Sequence, residues 1–130
     1  MKPVLTLDLA KKIAAKANAE AAKNNWSVVI AIFDDGANLL YLERMDGTQL
    51  GSIEIAQKKA STAIKFKRPS KVFEDNVIAG QNKYLVLPGA APLGGGLPLV
   101  VDGHFIGAIG VSGMTSAQDG VVAAAGVSAL

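Results

Sequence analysis

The chain has 130 residues, no cysteine and a formal net charge of +2. That length suits one domain, residues 1–130, with a core of its own. The absent thiols exclude disulfides, thiolate nucleophiles and iron–sulfur ligation. So small a charge argues against nucleic acid, and no apolar run reaches the roughly 18 residues of a membrane span. Hydrophobic residues make up 50% of the chain, much of it alanine, which predicts close helix packing and apolar surface buried between subunits of a homo-oligomer. Lysines and Asp8 interrupt the N-terminal MKPVLTLDLAKKIAAKA, so no secretory core is read there and a cytoplasmic location is expected.

Thr6 is placed to cap a first helix from about Leu7 to Asn24, with Leu9, Ile13, Ala17 and Ala21 on one stripe. Ser27 to Phe33 (SVVIAIF) is a β-branched apolar run expected as a central buried strand. Asp34-Asp35-Gly36 turns it into a second strand, Leu39 to Arg44. Leu50 to Phe66 reads as a helix with a small-residue stripe, ended by Lys67-Arg68-Pro69. Ser70 is expected to cap a short helix through Ile78, and Tyr84 to Leu87 is a strand candidate. Pro88-Gly89 and Pro92 mark an ordered loop, and Gly94-Gly95-Gly96 is a place where backbone must approach something closely. Leu97 to Val101, Asp102-Gly103 and His104 to Ser112 form a second hairpin. Thr115-x-x-Gln118 and Ser116-x-x-Asp119 are overlapping capping boxes for a last helix toward Leu130. The sum is an α+β domain: one antiparallel sheet of about five strands with helices on its faces.

Several of these stretches resemble the GlcG/HbpS family, whose relatives include the C-terminal domain of PduO-type proteins. The carrying motifs are VIAIFDDG (29–36), ERMDG (43–47), SIEIAQKKASTA (52–63), Arg68-Pro69-Ser70, Leu87-Pro88-Gly89-Ala90, Gly94 to Pro98 and Gly107 to Asp119. The resemblance covers nearly the whole chain. It implies a profilin-like α-β-α fold with a five-stranded sheet, self-association, and in some members binding of haem or a related ligand. It also implies an accessory place beside glycolate or diol catabolism.

For ligand binding, the residues themselves nominate several groups. Arg44 can clamp a carboxylate in a bidentate way or pair with Asp46. Lys59 and Thr62 lie one helical turn apart, and Lys59, on an alanine stripe, either holds an anion or snorkels to solvent. Phe66 can stack on a planar ligand or sit in the core. Gly95 and Gly96, with Ser112, Gly113, Thr115, Gln118 and Asp119, form the densest polar cluster, part of which is capping. His104 is the sole imidazole and the first candidate for an axial haem ligand, since haem needs only one from a given side, while a zinc cluster needs three or four ligands. No Ser-His-Asp arrangement fits, because a strand of about 26 Å separates His104 from Ser112. Three functions stay open at this point: a haem or tetrapyrrole-binding module, an enzyme on a small hydroxy- or oxo-acid using Arg44, Lys59 and Asp119, and a structural accessory subunit of a catabolic enzyme.

Overall fold

A computed structural model describes residues 2–130 of the chain. Helix α1 (Leu7–Lys23) starts where Thr6 accepts a hydrogen bond from the Leu9 N–H, and it buries Ala10, Ile13, Ala14, Ala17 and Ala21. Strands β1 (Val29–Asp34) and β2 (Leu39–Arg44) follow, then α2 (Gly51–Phe66), α3 (Lys71–Ile78), β3 (Gly96–Val101), β4 (His104–Ser112) and α4 (Ser116–Val127). The sheet has four antiparallel strands in the order β2-β1-β4-β3. Of the two capping boxes, Thr115 and Gln118 form the reciprocal pair that opens α4.

The fifth strand is absent. Asn82–Leu85 is a 3-10 turn instead, and Tyr84 packs edge-on against Phe73 with ring centroids 5.8 Å apart. Leu85 and Val86 are left exposed, so the short apolar run has no sheet face to bury and no reason to extend.

β1 lies inside the sheet, and its two faces feed two separate cores. Ile30 and Ile32 join Ile109, Val111, Leu99 and the buried stripes of α1 and α4. Val29, Ala31 and Phe33 join Ala108 and the α2 residues Ala56, Ala60 and Ala63. Alanines let α2 settle onto the sheet, and Gly110 lets it settle further: a Cβ there would strike the Ala56 carbonyl and come within 2.6 Å of the Ala60 nitrogen. Backbone thus lies directly on backbone, the situation in which a strand glycine is expected. The approach also brings the middle of α2 within reach of the end of β4. The Asp102-Gly103 turn has positive φ at both residues (50° and 77°), as a two-residue hairpin matched to strand twist requires.

Candidate functional site

The glycine segment approaches Lys59. α2 carries Lys59 inward, where its ammonium donates to the Val111 carbonyl at 2.9 Å and to Asp119 Oδ2 at 3.0 Å. Asp119 Oδ1 accepts from the Met114 N–H at 3.0 Å. Both side chains are sealed, at 3% and 2% exposure, so the expectation that Lys59 snorkels is corrected. A lysine stem of ordinary length cannot reach water here because the strap 94–96 lies over it. Gly95 has φ +121°, and a Cβ on it would stand 2.7 Å from the Val111 oxygen and 3.0 Å from the Lys59 nitrogen. Gly96 packs on the Lys59 backbone carbonyl. An ion pair out of water is tolerable only when its polar atoms find partners; here Lys59 Nζ has two acceptors and each Asp119 oxygen has a donor.

The strap is held by side chains of the two preceding helices. Thr62, buried, accepts from the Ala91 N–H at 2.8 Å and donates to the Lys58 carbonyl at 2.7 Å. Glu74 accepts from the Gly94 N–H at 3.1 Å, and Ser70 from the Gly96 N–H at 2.8 Å. Ser70 therefore does not cap α3 with its hydroxyl, as its position suggested; it is buried against β3 instead. Phe66 meets Phe73 edge-on at 5.2 Å between centroids. Ser112 bonds Ser52 hydroxyl to hydroxyl at 3.1 Å, buried between β4 and α2, and Gly113 passes tightly against Ser27 and Val28.

So the structure brings Lys59, Gly95, Gly96, Ser112, Gly113 and Asp119 to one end of the fold, with Thr62 nearby, and it closes that end with their mutual bonds. Thr115 and Gln118 stand at its rim as the helix cap. Arg44 lies at the same end of the sheet, across Val29 of β1 from Ser112, but stays out of this bonded cluster; it is exposed at the end of β2 beside Asn18, Glu43, Met45 and Asp46 around a recess of about 430 Å³. Of the two readings of Arg44, the ion pair with Asp46 does not form; both side chains are exposed without an oppositely charged partner among the described residues.

A different constellation lies at the opposite end of β4. His104, exposed beyond the hairpin turn, borders a depression of about 260 Å³ with Lys2, Asp35, Ile64, Lys67, Gly103 and Phe105. Lys67 ends α2 in the left-handed conformation (φ 53°) and lays its ammonium 5.5 Å from the centre of the Phe105 ring. Lys2 pairs with Asp35 at 3.3 Å across water-exposed surface, an interaction of small worth. An imidazole, two ammonium groups, the Asp35 carboxylate and an aromatic ring thus share one open surface, with the buried Ile64 at its floor. Sequence spacing joins His104 only to Phe105; Lys2, Ile64 and Lys67 arrive from the N-terminal segment and the end of α2. Among the described residues, no three histidines, aspartates or glutamates are placed to hold a metal ion.

The comparisons with known proteins fall on this frame. Residues 5–128 match the family model described as haem degrading protein HbpS-like. The chain belongs to that family. It is 46% identical to protein GlcG of Escherichia coli K12 over 111 residues, covering 85% of this chain and 83% of that one. Among solved structures, HbpS superposes with a TM-score of 0.89 at 31% identity, covering all (100%) of this chain and 92% of HbpS. A PduOC complex with haem superposes with a TM-score of 0.87 at 28% identity, covering 98% and 96%. No helix among the described residues is long and apolar enough to cross a membrane.

Proposed function

We propose that the chain is a binding module for haem or a closely related planar tetrapyrrole carrying carboxylates, held at the His104 depression. One observation carries this: the sole imidazole stands exposed with an aromatic ring, two ammonium groups and one carboxylate, Asp35, around it. The chemistry of that set fits the group. An imidazole nitrogen supplies an axial iron ligand. Lys67, which has no carboxylate partner among the described residues, and Lys2, whose exposed pairing with Asp35 is easily exchanged, can meet propionates as point charges. Phe105, half-buried, offers apolar contact. Support comes also from the family's description and from a structural neighbour solved with haem.

The depression is open and smaller than the roughly 300–1,000 Å³ of enclosing ligand pockets, so a macrocycle held there would keep much of its surface in solvent. The reading as an enzyme on a small hydroxy- or oxo-acid fares less well, because Lys59 and Asp119 are engaged with each other beneath the strap. Haem titration of the full chain, followed by the Soret band, tests the proposal. The wild type should show a saturable shift at one haem per chain. His104→Ala should lose the shifted band or weaken binding at least tenfold, and Lys67→Ala should weaken binding while keeping the ligated spectrum. A wild type without a shift, or a His104→Ala variant titrating like wild type, overturns it.

A further inference from the structure

Between α2 and the segment that leads into the strap lies a hollow of about 90 Å³, lined by Lys58, Ser61, Gly89, Ala90 and Ala91. It belongs to neither constellation described above and shares no residue with the His104 depression. Thr62 builds it from the inside, because its bond to the Ala91 N–H pins residues 89–91 along the helix. Lys58, Ser61 and Lys65 recur at spacings of three and four and so share one stripe of α2. That stripe faces the pinned segment.

The polar groups around the hollow are unevenly engaged. Gln57 and Thr62 donate to the Ile53 and Lys58 carbonyls at 3.0 and 2.7 Å. The Ser61 hydroxyl, half-buried, has no partner among the described residues. Lys58 has one exposed pairing, with Glu54 at 3.8 Å, of the kind worth little. Lys65 has no carboxylate partner among the described residues. Its ammonium lies beside the pinned segment, since a Cβ on Gly89 would stand 3.7 Å from it. Gly89 has φ +79°, a conformation glycine adopts without strain, so the chain turns past Lys65 with no side chain between them. Two ammonium groups against the Glu54 carboxylate leave one surplus positive charge. Ala90 and Ala91, both half-buried, give the hollow an apolar wall.

We infer that this hollow is a binding site for a small monocarboxylate. The carboxylate accepts from the Ser61 hydroxyl and meets the Lys58 ammonium, Lys65 adds positive charge at the Gly89 end, and the short tail lies against Ala90 and Ala91. Volume sets the size: the hollow holds about three waters at roughly 30 Å³ each, the bulk of an acid of about two or three carbons. The single surplus charge favours a monoanion over a phosphate dianion, whose second charge would face Glu54 without a counter-charge. This inference is independent of what the His104 depression binds.

Acetate titrated into the isotope-labelled full chain, with chloride exchanged for it at constant ionic strength and amide shifts followed by NMR, tests it. Shifts should saturate at Ser61, Gly89, Ala90 and Ala91, with a dissociation constant of about 1–10 mM for so few atoms. Chloride alone should leave those amides unmoved. Ser61→Ala removes the hydroxyl while raising helix propensity, so the helix is kept, and acetate should bind about threefold more weakly or worse. Replacing Lys58 and Lys65 together with glutamine, both exposed and outside the core, should weaken it about fivefold or more. No saturable shift at these amides, the same shifts with chloride, a Ser61→Ala variant that titrates like wild type, or phosphate binding more tightly than acetate overturns the inference.

Discussion

Replacing Asp119 with asparagine should destabilise the fold severely, for a reason that reaches beyond the loss of one contact. The carboxylate has two oxygens serving two donors, the Lys59 ammonium and the Met114 N–H. An asparagine amide offers one acceptor, and its NH₂ must then face a donor. More important, the Lys59 charge would remain buried at 3% exposure without a counter-charge. Removing one member of a buried pair costs about 3–5 kcal/mol, against a total stability of about 5–15 kcal/mol for a domain. With a urea slope of about 2 kcal/mol/M, the unfolding midpoint falls by about 1.5–2.5 M. Fluorescence of Trp26, which packs on the core, reports the transition, with circular dichroism as a second probe. Adding Lys59→Met should recover at least half of the loss, since the asparagine amide can then donate to the Val111 carbonyl that Lys59 vacates. A midpoint shift under about 0.5 M, or a double variant no better than Asp119→Asn, would refute the account of a desolvated charge that needs its partner.

Two further expectations concern the strap and the β2 end. Thr62→Val keeps the side-chain shape and leaves the Ala91 N–H without its acceptor, which should cost about 1–3 kcal/mol; hydrogen exchange should quicken over residues 89–95 more than in β1, and uniform quickening would refute a local role. Burial first, then the Glu43 charge and hydrogen bond, raise the Tyr41 phenol above its ordinary 10.0. The folded chain therefore holds that proton to higher pH than the unfolded chain, so the stabilisation is present below about pH 10 and is lost as pH rises through the folded midpoint. In a Tyr84→Phe background, phenolate absorbance should titrate above 10.0, and Glu43→Gln should bring the midpoint part of the way back. A midpoint at or below the unfolded value would count against it.

Local chemistry made much of this fold readable. The Thr6 and Thr115 caps, the β-branched run of β1 and the Asp102-Gly103 turn each specify their conformation within a few residues. What stayed hidden depended on partners far along the chain. Tyr84 to Leu87 has strand-like residues, but the fate of that segment was decided by Phe73, which draws Tyr84 into an aromatic contact. Ser70 stands where a helix cap belongs, yet its hydroxyl answers Gly96, 26 residues away. Lys59 and Asp119 were each legible as unusual, one on an alanine stripe and the other in a cap, and only the 60-residue separation concealed that they neutralise each other. The His104 surface was legible in one residue alone, because its lysines come from the N-terminal segment and from the turn after α2.

The unequal borders of the sheet also set how large an assembly can grow through it. A strand edge that could accept neighbours on both sides would propagate without limit, as open, heterologous contacts do. Here Pro98 and the Ser70 clamp close one side, which leaves β2 as the one border of this sheet open to a further strand. A sheet with a single open border can add a neighbour on that side only, so edge pairing between copies would stop at two chains. A substitution that reopened β3, such as Pro98→Thr, would restore a donor to the closed border and remove that limit.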